Sequence, residues 1–179
     1  MKRNPEKHNR RSIRLKEFDY SSAAGYFVTI CTDKARCVFG DVHKGQMQLN
    51  KYGRLVEPEW LKTTKIRDNI EIDAFIVMPN HFHAIIVILD IVGATRWVAH
   101  ATRLQSRSLG SIIGQFKSIV TKQIRKMGLR NFKWQRNYYE HVIRDEHDLN
   151  KIREYIINNP ITWGLDDENP ANIDREAKR

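Results

Sequence analysis

The run Asp73-Ala-Phe-Ile-Val-Met-Pro-Asn-His-Phe-His-Ala-Ile-Ile-Val-Ile88 constrains the fold more than any other part of the chain. Ile70 to Met78 and His81 to Leu89 are rich in β-branched and aromatic residues, and only the turn pair Pro79-Asn80 separates them. Two adjacent strands follow. Strand side chains alternate between faces, so His81 and His83 point one way while Phe82 points the other, into a core. Two neutral imidazoles at one height above a sheet are half of a divalent-metal site. A His-x-His pair also occurs as ordinary surface or core histidines, so the rest of the chain must decide.

Around this pair the hydrophobic pattern supplies a full set of elements. Tyr26 to Thr32 reads as a buried strand, and Val38 to Leu49 as extended structure broken by Gly40 and Gly45. Asn50 can cap a helix to about Ile66, which Pro58 would kink or restart. Ser108 caps an amphipathic helix whose stripe is Leu109, Ile112, Ile113, Phe116, Val120, Ile124 and Met127. Trp134 to Arg144 is a last strand. A final helix starts near Asp145–Asp148, turns Leu149, Ile152 and Ile156 inward, and stops at Pro160. The order is that of an α+β, ferredoxin-like βαββαβ antiparallel sheet, with an extra C-terminal helix. Two helices would cover one sheet face and leave the histidine face free.

The length of 179 residues suits one domain, spanning about 21–165. A basic N-terminal arm (1–20) precedes it, with seven basic and three acidic residues, and a loosely held polar, acidic tail (166–179) follows. No stretch has transmembrane length, no secretory signal opens the chain, and Cys31 and Cys37 have no metal-binding spacing. A cytoplasmic protein with no membrane partner is the expectation.

The net charge of +10 is concentrated. Between Ile91 and Tyr139 there are ten basic residues and no acidic one, while the other basic residues equal the 21 acidic ones in number. Such a segment is the footprint of a polyanion. Lys117, Lys122, Arg125 and Arg136 are candidate DNA-binding residues, with Trp97, Phe132, Trp134, Tyr138 and Tyr139 interleaved as stacking platforms. The stretch Asp90–Arg107 has no clear period and reads as a long loop.

Tyr155 and Asn159 on the final helix are four residues apart and share a face. A tyrosine can attack a phosphodiester when a cation neutralises the phosphate, and the Asn159 amide oxygen could complete the ligand set of such a cation. Tyr138 and Tyr139 are rival nucleophiles, because one of them shares a strand face with His141. His141 is itself a candidate for a place beside the metal or the DNA.

The combination of Val77-Met-Pro-Asn-His-Phe-His83, Gln115-Phe-Lys-Ser118, Trp134-Gln-Arg-Asn-Tyr-Tyr-Glu-His-Val-Ile-Arg144 and Tyr155-Ile-Ile-Asn-Asn-Pro160 resembles the single-tyrosine HUH transposases, and most of all their REP-associated branch. The resemblance runs from about Arg11 to Leu165. It implies Tyr155 as nucleophile, His81, His83 and Asn159 as ligands of Mg²⁺ or Mn²⁺, and a domain that cuts and rejoins single-stranded DNA at hairpins. A tyrosine joined to a 5′ phosphate is the implied intermediate. Relatives act as homodimers that exchange the tyrosine helix, and the REP-associated branch also as monomers, so either state is open. Two other functions fit the element order: a non-catalytic ferredoxin-like nucleic-acid-binding module, with aromatics on the open sheet face, and a metal-dependent phosphodiesterase that uses water.

Overall fold

The computed structural model describes residues 23–89 and 108–172. The expected basic arm and the loop between the two central strands and the amphipathic helix lie outside these residues. Six strands and three helices follow in chain order: β1 (Ala24–Cys31), β2 (Gly40–His43), β3 (Gln46–Leu49), α1 (Gly53–Ile66), β4 (Ile70–Val77), β5 (His81–Ile88), α2 (Leu109–Lys126), β6 (Tyr139–Ile143) and α3 (Glu146–Thr162). The four-stranded sheet has the order β4-β5-β1-β6 with every pair antiparallel, and β2–β3 form a separate hairpin. This is the ferredoxin-like order, with β5 inserted between β1 and β4.

The main core lies between the sheet and helices α1 and α2. Phe82, Ala84 and Ile86 of β5 and Tyr26, Val28 and Ile30 of β1 all point into it, as the two-residue alternation requires. Trp60 of α1 packs edge-on against Phe82 and Phe116, with ring centroids 5.2 and 5.0 Å away. The α2 stripe is buried from Leu109 to Ile124, whereas Met127 has left the core at the helix end.

Helix boundaries follow local chemistry. Asn50 Oδ1 accepts from the Tyr52 and Gly53 amides at 2.8 and 3.1 Å, while its Nδ2 donates to the Val38 carbonyl. Ser108 and Asp145 cap α2 and α3 by accepting from the amides of Ser111 and Asp148. Neither proline ends its helix. Pro58 lies inside α1 and Pro160 inside the last turn of α3. Each removes one backbone hydrogen bond, and tertiary packing holds the helix through it: buried Glu59 and Trp60 follow Pro58, and Pro160 is itself buried beside Asn159.

The β2–β3 hairpin turns through Lys44 and Gly45, both at positive φ (51° and 73°). Gly40 stands at φ 146°, and a Cβ there would lie 2.0 Å from the Gln48 carbonyl oxygen. Gly40→Ala is therefore expected to cost about 2 kcal/mol or more, read as a lower urea midpoint at unchanged slope.

The face opposite α1 and α2 is not free. Helix α3 lies across it, burying Ile152 and Ile156 against Ile85, with Phe27, Ile76 and Ile143 around them. The expectation of an open histidine face is corrected here, because Leu149, Ile152 and Ile156 require an apolar surface and the sheet supplies it. Among the described residues, no helix is long and apolar enough to cross a membrane.

Candidate active site

His81 and His83 project from β5 toward α3 and are both buried. Each ring is oriented by a neighbour on its Nδ1. His81 Nδ1 lies 2.9 Å from Asn80 Oδ1, and Asn80 is tied by its own amide to the carbonyls of Ala35 and Glu168. An amide oxygen only accepts, so the His81 proton sits on Nδ1 and Nε2 keeps its lone pair. His83 Nδ1 lies 2.9 Å from Thr29 Oγ1 on the paired strand β1. Burial pushes the His81 imidazole down to about 4, against the pull of Asp166. His83 is held well below its ordinary value by burial and by the His81 ring. Both are neutral, which is the form that binds a metal.

Tyr155 comes to this pair from α3. Its hydroxyl lies 3.3 Å from His83 Nε2, and its ring meets Phe27 edge-on at 5.9 Å while Phe27 stacks on His83 at 5.2 Å. Tyr155 remains 45% exposed. Burial and the carboxylates of Asp166 and Glu168 push its phenol up to about 12. Asn159, one turn on, is buried, and its Nδ2 donates to Asp166 Oδ2 at 2.8 Å. Its Oδ1 and the Nε2 of His81 are both buried without a partner among the described residues. Such groups are costly unless something binds them.

Asp166 completes the cluster. Ligand atoms of His81, His83 and Asp166 all lie within 4.8 Å of one another. The carboxylate is aimed by two donors, Asn159 Nδ2 and the Glu168 amide at 2.7 Å. Two imidazoles, a carboxylate and an amide oxygen form a donor set that can hold a divalent metal ion.

Helix α3 is held over the site by Arg153, whose guanidinium forks onto the Asp73 carboxylate of β4. The Arg153 hydrogen bonds hold Asp73 below the usual carboxylate range. A depressed carboxylate gives its stability above the unfolded value, near 4, and loses it as pH falls through the folded value. Asp73→Asn should thus increase amide exchange along α3 at neutral pH and flatten the loss of α3 protection below pH 4.

Beside the site, α2 and residues 133–140 enclose a groove of about 1160 Å³ lined by Lys117, Lys122, Arg125, Lys133 and Arg136 against a single acid, Glu140. Two of these cations already serve the fold. Lys117 Nζ donates to the carbonyls of Gln135 (2.6 Å) and Asn137 (3.2 Å), and burial lowers its ammonium to about 8. Arg125 donates through Nε and Nη2 to the Phe132 carbonyl. They brace the groove wall, while Lys122, Lys133 and Arg136 also line it.

No protein-family model matches the chain. It belongs to one sequence family with an uncharacterized protein of Haemophilus influenzae, 44% identical over 166 residues that span 89% of this chain and 92% of that one. Among solved structures, a REP-associated tyrosine transposase bound to a REP hairpin superposes with a TM-score of 0.52 at 22% identity, over 85% of this chain and 75% of that one. That likeness is one of fold: an antiparallel four-stranded sheet with helices packed on it. The His81, His83, Tyr155 and Asn159 expected from sequence come together in one cluster with Asp166.

Other expectations shift. His141 shares the α3 face of the sheet, yet its Nε2 meets Asp148 Oδ2 at 2.8 Å, at the start of α3, and not the histidine pair. Tyr138 packs against the main core, and Tyr139 faces the site. Sequence reasoning missed Asp166, which it placed in a loose acidic tail. The chain instead turns back after α3, with Asn172 Nδ2 donating to the carbonyls of Gly164 and Asp166. No spacing rule links Asp166 to the histidines; the one cue was its place just past the tyrosine helix.

Proposed function

We propose that the chain is a metal-dependent single-stranded DNA endonuclease and strand transferase that works through a covalent Tyr155–5′-phosphate intermediate on hairpin-forming repeats. The observation that carries this reading is the Tyr155 hydroxyl 3.3 Å from His83, inside a cluster of two buried neutral imidazoles and Asp166. Single-stranded DNA as partner is supported by the adjoining basic groove, and a hairpin by the ligand of the structural neighbour. Mg²⁺ or Mn²⁺ held by His81, His83, Asp166 and Asn159 Oδ1 would neutralise phosphate charge and favour the ionised phenol.

The residues divide the chemistry among them. Tyr155 Oη forms a bond to phosphorus as the bond to the 3′ oxygen breaks. The phenol loses its proton, and the departing oxygen gains one as a 3′ hydroxyl. Attack by a 3′ hydroxyl on the phosphotyrosine reverses the step and rejoins the strand, with no nucleotide cofactor needed. Asn80 fixes the His81 tautomer, Thr29 holds the His83 ring in orientation, and the Arg153–Asp73 fork keeps Tyr155 in reach.

A purely binding module would need stacking aromatics on the sheet face where His81 and His83 stand under α3. A hydrolase that uses water would need the histidines but not Tyr155. Labelled hairpin DNA incubated with the protein and Mn²⁺ distinguishes these. An adduct that survives denaturation is expected; cleavage without adduct indicates the hydrolase, and binding without cleavage indicates the module.

If the groove follows a DNA backbone, affinity falls steeply with salt, by about −0.7 in log K per log salt for each phosphate contact. Replacing Lys122, Lys133 and Arg136 with Gln should flatten the slope by about 2 if all three touch phosphate, for every sequence alike. An unchanged slope moves the DNA path out of the groove.

A further inference from the structure

Tyr139 is the one described residue that lines both the basic groove and the smaller cavity, about 310 Å³, that holds Tyr155 and His83. Strand register explains why. Tyr139 opens β6 opposite Thr29, the residue that orients His83, so its side chain stands on the α3 face at the edge of the site. Its neighbour Tyr138 turns the other way, into the main core. Tyr139 is 42% exposed. An edge strand that exposes a large aromatic between a cationic groove and a nucleophile presents an apolar face where a strand of nucleotides must pass from one to the other.

Resting on the function proposed above, we infer that Tyr139 is the substrate-positioning residue of the site: it stacks on a nucleobase adjoining the scissile phosphate and so registers the single strand against Tyr155. Phosphate contacts in the groove let a strand slide, because every nucleotide offers the same charge. A stacked base at the groove exit fixes which phosphate reaches Tyr155, and does so with little sequence preference since every base has a π face. The Tyr139 hydroxyl takes no part, and no bond to it forms or breaks.

The test uses the full chain, Mn²⁺ and a labelled single-stranded hairpin substrate, with an abasic site placed in turn at each nucleotide flanking the cleavage point. Tyr139→Ala should weaken binding about tenfold and spread cleavage over neighbouring phosphates, whereas Tyr139→Phe should match wild type. At one flanking position the abasic substrate should cost wild type about the same factor and cost Tyr139→Ala nothing further, a coupling that a merely structural residue would not produce. Additive losses at every position overturn the inference, as do unchanged binding and register in Tyr139→Ala. Loss of the adduct in Tyr139→Phe also overturns it, by making the hydroxyl chemical. If wild type itself forms no adduct, the strand-transfer reading fails, and the abasic binding cycle still judges Tyr139 by itself.

Discussion

Tyr155→Phe is expected to bind hairpin DNA as wild type does and to form no covalent adduct, with cleavage down by about a thousandfold or more. The substitution removes one oxygen and leaves the ring packed edge-on against Phe27 and beside His83, so the fold has no reason to change. What it removes is the one hydroxyl held 3.3 Å from His83 Nε2. Denaturing gels read the adduct and fluorescence anisotropy reads the binding. If the adduct persists in this variant and disappears in Tyr139→Phe, the nucleophile lies on β6 and not on the helix.

The second large effect concerns the ligand cluster. His81→Ala and His83→Ala should each lose cleavage by on the order of a hundredfold or more, and raising Mn²⁺ should not restore it. Each variant removes a buried neutral imidazole whose ring is already fixed by Asn80 or Thr29. Asp166→Ala should be nearly as severe, because it removes the only carboxylate among the three clustered groups. Asn159→Ala should be milder, since water can stand in for a neutral amide oxygen. Isothermal titration with Mn²⁺ separates lost metal affinity from lost chemistry. Wild-type cleavage and wild-type Mn²⁺ binding in both histidine variants would remove the metal from the account.

How much of this was legible in the sequence depended on periodicity. The two-residue alternation of His81, Phe82 and His83 gave both the core face and the site face, and a spacing of four put Tyr155 and Asn159 on one helical face. Both patterns are local, so they survive without knowledge of the fold. Asp166 follows the end of α3, where no period operates, and only the return of the chain over the site joins it to residues more than eighty positions earlier. The prolines misled for the same reason: Pro58 and Pro160 break a helix locally, while burial of Trp60, Asn159 and Pro160 holds it together. The excess of positive charge located the groove, but composition cannot tell a cation that meets phosphate from one that binds a carbonyl. Lys117 and Arg125 line the groove and also donate to backbone carbonyls.

Peptide mapping of the trapped complex tests the central claim most directly. Wild-type protein is incubated with Mn²⁺ and a hairpin carrying distinct labels on its 5′ and 3′ sides, then denatured and digested with protease and nuclease. The expected product is a peptide containing Tyr155 that bears a 5′-linked nucleotide, with the opposite label released on a strand ending in a 3′ hydroxyl. A nucleotide on any other tyrosine, a 3′ linkage, or cleaved DNA with no modified peptide would contradict the account.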